Sequence, residues 1–96
     1  MSVTVVVNFV AAEGRAEQLL ALLREGRDAS RAADGCEFFE LFQREDDPLK
    51  FMFFERWTSL DAHHDNMARN IDATGHLGKI LPLLDGSIDN GVLEAR

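Results

Sequence analysis

Only one cysteine, Cys36, occurs among the 96 residues, so no disulfide can close within the chain and its cysteine usage gives no sign of an oxidising compartment. Placed just after a turn, Cys36 reads as a small buried hydrophobe rather than as a nucleophile. Basic residues are also scarce. Ten Lys and Arg stand against seventeen Asp and Glu, giving a formal charge of -7 with no basic cluster. Such a surface repels polyanions, which argues against nucleic acid and anionic membranes as partners and favours a neutral or weakly acidic organic ligand. No apolar run approaches the roughly 20 residues that cross a bilayer. The start Met1-Ser2-Val3-Thr4-Val5-Val6-Val7 lacks the basic segment and cleavage site of a secretory signal and reads as a strand, so a cytoplasmic protein is expected. There is no HExxH, paired Cys/His spacing, P-loop, dinucleotide fingerprint or nucleophile elbow. A metal site built from His63, His64, Asp65 and His76 is not expected, because adjacent helical residues point apart.

What remains is an ordinary globular composition, 46% hydrophobic and 28% charged, in a length that suits one domain over residues 1–96. The β-branched run over 3–10 predicts a strand with Val3, Val5, Val7 and Phe9 on one wholly apolar face. Asn8 falls on the other, mixed face. Over 15–33 the spacing Ala16, Leu19, Leu20, Leu23 predicts a helix. Gly35 stands where a left-handed residue would end it, and Gly26 in its interior reads as tolerated. A strand over 36–44 carries Phe38, Phe39, Leu41 and Phe42, and Glu45-Asp46-Asp47-Pro48 turns the chain into a hairpin.

The second strand of that hairpin is apolar on both sides, with Phe51, Phe53 and Trp57 on one face and Met52 and Phe54 on the other. Both faces therefore need a cover, and the helices of one chain can supply only one. A second copy of the protein is the expected cover for the other, making a homodimer. Thr58 and Asp61 fit the [ST]-x-x-[DE] pattern that caps a following helix. On that helix Leu60, His64, Met67 and Ile71 share a face, so His64 is expected to point toward the core or a pocket and His63 toward solvent. Asp72 or Thr74 can cap a short, irregular helix containing His76, Ile80, Leu83 and Leu84, interrupted by Gly75, Gly78 and Pro82. A last strand over 87–95 includes Asp89-Asn90-Gly91, which suggests a bulge or bend. The order is an α+β, ferredoxin-like βαββαβ with an antiparallel sheet.

The valine-rich first strand, the helix after Gly14, the Asp34-Gly35-Cys36 turn, the strand ending Glu55-Arg56-Trp57 and the helix start Ser59-Leu60-Asp61-Ala62 together resemble the antibiotic biosynthesis monooxygenase family of the dimeric α/β-barrel superfamily. The resemblance spans nearly the whole chain. It implies a homodimer in which two sheets close a shared barrel, and a pocket for a small apolar or aromatic ligand between sheet and helices. The chemistry it implies is cofactor-independent oxygenation of an aromatic, polyketide or quinol-like compound, with haem degradation or ligand binding without catalysis as alternatives. Many members carry a histidine where this chain has Asn66, and the polyketide oxygenases carry an asparagine where it has Phe53. Haem-degrading relatives use a first-strand asparagine, matched by Asn8 with a shift of one residue, and a later histidine, matched by His76.

Oxygenation without a cofactor needs a base, polar anchors and a dry cavity. His64 and His76 are the candidate bases, and imidazole is well suited to that task near neutral pH. His76, between Gly75 and Gly78, has room for a ligand beside it. Asn8 and Asn66 are candidates to orient an oxyanion or peroxide, and Trp57 and Phe53 to wall the pocket. Glu55 is a base if it lies desolvated in the pocket, or has a partner across the sheet.

Overall fold

In the computed structural model, which describes residues 2–96, the β-branched run forms strand β1 (Val3–Val10). Met1 lies outside the described residues. Helix α1 (Ala16–Arg31) follows, then the hairpin β2 (Cys36–Gln43) and β3 (Lys50–Trp57). Helix α2 (Leu60–Asn66) runs directly into a π-helical segment (Met67–Asp72), and α3 (His76–Ile80) into a 3-10 turn (Leu81–Leu83) before strand β4 (Asp89–Leu93). The sheet is antiparallel in the order β2-β3-β1-β4, with Val7 opposite Phe53 and Val5 opposite both Glu55 and Val92. This is the ferredoxin-like βαββαβ arrangement.

Alternation decides which sheet face is covered. Val5, Val7 and Phe9 of β1, Phe39 of β2 and Phe51, Phe53 and Trp57 of β3 are buried with Leu19 and Leu23 of α1 in one core cluster. All of these strand residues point toward the helices. The opposite face carries Val6, Met52 and Phe54, half-buried, beside Phe38 and Phe42, which remain 46% and 47% exposed. Phe38 and Phe54 pack edge to face there at 5.9 Å between ring centroids. Among the described residues no element of the chain lies over this face, in keeping with helices that cover one side only.

Gly35 occupies the joint between α1 and β2 with φ +85°. A Cβ there would lie 2.7 Å from the Ala62 Cβ and 2.8 Å from the Thr58 Oγ1, so only glycine lets the two loops meet. The Thr58 N–H donates to the Gly35 carbonyl at 2.8 Å and locks the contact. Gly26 is not merely tolerated: a Cβ there would come within 3.3 Å of the His76 Nε2, so its bareness makes room for that imidazole.

Four local expectations need correction. The cap of α2 is Ser59, whose hydroxyl accepts from the Ala62 N–H at 3.1 Å; Thr58 is spent on the Gly35 contact instead. The sheet irregularity lies in β2 between Cys36 and Phe38, whereas Asp89-Asn90-Gly91 pairs regularly with β1. The last strand is shorter than expected. The inward face of α2 holds His63 and Asn66, 9% and 3% exposed, while His64 is exposed. A π turn explains the mistaken phase: the Ala73 N–H bonds the Ala68 carbonyl five residues back, so Asn66 and Ile71 both face inward although a regular helix would separate them.

Candidate functional site

Between the helix-covered sheet face and the α2, π-helical and α3 segments lies a cavity of about 150 Å³. Its floor is Val7, Phe9, Phe39 and Phe53 from three strands, and its roof is Met67, Ile71, Leu77 and Ile80 from the helices. Ile88 and Asn90 stand at the β4 end. Into this apolar space project four buried polar side chains, Ser30, Glu55, His63 and Asn66. A larger groove of about 320 Å³ lies beside Asn8, Phe42, Arg44 and Lys50. It gathers no buried titratable group, and the smaller cavity is therefore the candidate site.

Two polar networks meet this cavity. In the first, the Glu55 carboxylate is 3% exposed and its Oε1 accepts from the Trp57 Nε1–H at 2.8 Å. Residues two apart on a strand share a face, which is why the motif Glu-Arg-Trp brings the acid and the indole together while Arg56 points away. His63 Nδ1 approaches the same Oε1 at 3.5 Å. That distance allows charge attraction once the ring is protonated, but the alignment makes no hydrogen bond, and Nδ1 is a buried nitrogen without a hydrogen-bond partner among the described residues. In the second network the Asn70 amide donates to the Asn66 Oδ1 at 2.7 Å, and the Asn66 amide donates to the Ser30 Oγ at 3.1 Å.

Of the expected site residues, Phe53, Glu55 and Asn66 line the cavity. Trp57 is fully buried behind it, packed against His63 with ring centroids 6.0 Å apart, and acts as the support of Glu55 rather than as a wall. The other three do not converge. Asn8 is exposed on the opposite sheet face, His64 is exposed on the outer side of α2, and the His76 Nε2 is held at 2.7 Å by the Leu22 carbonyl. Reading His63 as solvated and His64 as inward is thus reversed. Three polar cavity residues, His63, Ser30 and Asn90, escaped sequence reasoning as site residues. The signal for His63 was available, since it lies one helical turn before Asn66.

Cys36, next to this region, is half-buried. Burial, and then the nearby Glu55 carboxylate, pushes its thiol pKa up, which suits an inert side chain. Among the described residues no group of three or more His, Cys, Asp and Glu side chains is placed to hold a metal ion, and no helix is long and apolar enough to cross a membrane.

A sequence profile of the antibiotic biosynthesis monooxygenase family matches residues 2–69. The chain belongs to that family. The matched stretch of this antibiotic biosynthesis monooxygenase domain includes Glu55, Trp57, His63 and Asn66 and stops before Ile71 and α3. No curated protein sequence matches the chain. Its fold is similar to that of Rv0793 from Mycobacterium tuberculosis, with a TM-score of 0.89 and 24% identity over 100% of this chain and 96% of the other. PA3566 from Pseudomonas aeruginosa is similar at a TM-score of 0.85 and 25% identity, over 99% of this chain and 94% of the other. SnoaB from Streptomyces nogalater, described as a cofactor-independent oxygenase, aligns with a TM-score of 0.83 and 19% identity over 99% of this chain and 93% of its own.

Proposed function

We propose that the protein is a cofactor-independent monooxygenase for a small hydroxylated aromatic or quinol-like compound. The observation that carries this reading is an apolar cavity in which an acid and an imidazole lie buried side by side, Glu55 and His63. A space of about 150 Å³ matches one benzene-sized ring, which favours a single-ring substrate. SnoaB, of similar fold, supports the absence of a cofactor.

The substrate itself supplies every electron. Deprotonation of a phenol or enol leaves an electron-rich carbanion equivalent that passes one electron to dioxygen. Superoxide and the substrate radical then join at carbon, and loss of water from the hydroperoxide turns a CH₂ group into C=O, consuming one O₂ and releasing one H₂O. The protein's part is to take the proton, hold the oxyanion and keep water away from the intermediates.

Oxygen uptake across a panel of single-ring hydroquinones and phenols, with anthrones for contrast, tests the proposal. The expected result is one O₂ consumed and one H₂O released per product carrying one added oxygen, a quinone from a phenol and a hydroxyquinone from a hydroquinone, without hydrogen peroxide. A correctly folded protein that binds such rings yet consumes no oxygen with any of them would be a ligand-binding module instead. Haem does not fit this site: the macrocycle is several times larger than the cavity, and His76, the residue expected to ligate it, spends its Nε2 on the Leu22 carbonyl. We further propose that a second copy covers the open sheet face, where Phe38, Phe42 and Leu93 stand 46–50% exposed.

A further inference from the structure

The buried polar groups of the cavity are more specific than the general reaction requires. We propose that His63 takes the proton of the bound hydroxyl and that Ser30 holds the oxygen left behind, each positioned by a buried neighbour, Glu55 for the one and Asn66 for the other. The inference rests on the reading of the cavity as an oxygenation site.

His63 is the one imidazole lining the cavity among the described residues. A buried ring nitrogen without a hydrogen bond is costly in a folded protein and calls for an explanation. Here the neighbour of Nδ1 is a carboxylate oxygen at 3.5 Å. A proton delivered to the ring makes it a cation beside an anion inside an apolar enclosure, where their attraction is far stronger than in water. With Nδ1 turned toward Glu55, the opposite nitrogen, Nε2, has no protein partner among the described residues and is left for the substrate O–H. Glu55 cannot drift from this place, because the Trp57 indole N–H holds its Oε1 at 2.8 Å and Trp57 is itself fully enclosed.

The second network has a direction. Asn70 donates to Asn66, Asn66 donates to Ser30, and the Ser30 Oγ is thereby used as an acceptor. Among the described residues its own hydroxyl hydrogen has no acceptor, in a side chain that is 1% exposed and lines the cavity. A serine that ends a chain of donors presents a hydrogen to whatever oxygen arrives, and an oxyanion is the best acceptor. Proton acceptor and oxyanion donor thus face one single-ring space. In the transfer the substrate O–H bond breaks, the new N–H bond forms at His63, and the negative charge stays on the substrate oxygen beside Ser30.

The probe is 4-nitrophenol, a single ring whose phenol and phenolate forms absorb differently, with nitrobenzene as a ring that has no proton to give. Binding is followed by the fluorescence of Trp57, the only tryptophan. In buffer acidic enough to keep the free probe neutral, the wild type is expected to bind it as phenolate. His63→Leu and His63→Gln are expected to bind it as neutral phenol with nitrobenzene affinity retained, and to slow oxygen uptake by about a hundredfold. Ser30→Ala should weaken phenolate binding by about tenfold and leave nitrobenzene unaffected. Glu55→Gln should lower the phenolate fraction, and the exposed His64→Ala should not. An unchanged phenolate signal in both folded His63 variants overturns the assignment and leaves the cavity reading standing. Failure of the wild type to bind either ring overturns the cavity reading as well.

Discussion

Trp57 has one polar atom, and that atom has one partner, the Glu55 carboxylate at 2.8 Å. Trp57→Phe keeps most of the apolar contact with Phe39 but leaves a buried acid without its donor. The expected loss is about 1–3 kcal/mol, read from urea denaturation. The pair Gly26 and His76 supplies a sharper test. Alanine in a helix interior is ordinarily worth about 1 kcal/mol over glycine, but here its Cβ would press the imidazole that bonds the Leu22 carbonyl. Gly26→Ala is therefore expected to give no gain in the wild type and a gain of about 1 kcal/mol once His76→Ala has emptied the space, a coupling that a double-mutant cycle measures. For Cys36, a thiol pKa raised by burial and by Glu55 means less thiolate at neutral pH. Its reaction with a disulfide reagent should be slower than that of free cysteine and should accelerate with alkalinity. The sign for stability follows: the contribution is complete below the unfolded thiol's pKa and is lost as pH rises through the folded one. Glu55 and Phe53 were legible as site residues because strand alternation is regular, and Asn66 because the resemblance set it where many relatives carry a histidine. Asn8 was not: it stood on the mixed face of its strand, opposite the wholly apolar one that the helices cover, and its match to a first-strand asparagine of haem-degrading relatives drew it into the site.

At the scale of elements, the helix that carries His63 begins at Ser59. Ser59→Ala should cost about 1 kcal/mol and loosen the cavity roof, whereas Thr58→Ala leaves that cap intact. Comparing the two by thermal melts distinguishes the observed cap from the one that the Thr58/Asp61 spacing suggested. The strands and α1 were readable from periodicity, as was the irregular second helical region with its Gly75, Gly78 and Pro82. The π turn was not, since Met-Ala-Arg-Asn-Ile-Asp contains nothing that a regular helix would reject. Its wider turn follows from bringing Asn66 and Ile71 to one cavity, a tertiary demand that no local pattern records. The same cause exchanged His63 and His64 in the reading.

At the scale of the molecule, the open sheet face sets the expected assembly. Light scattering should find two copies of the 10.7 kDa chain together. Phe42→Glu, which places a charge within the exposed apolar patch, should drive the pair to monomers. The two-sided apolar β3 made this face visible in the sequence, because no single layer of helices can cover both sides of a sheet.

The glycine joint at residue 35 has a dynamic consequence. It ties the loop following the Ser30 helix to the loop preceding the His63 helix, through a 2.8 Å backbone bond and a packing gap too small for a methyl group. The two cavity walls are thus hinged shut at that end, and breathing wide enough to admit a ring is expected at the other, which Leu77 and Ile88 line. Amide exchange should reflect this asymmetry: the Thr58 N–H should exchange only with global unfolding, and those of Ser87 and Ile88 through small local openings. The path by which substrate enters is then written in the exchange rates of the empty protein.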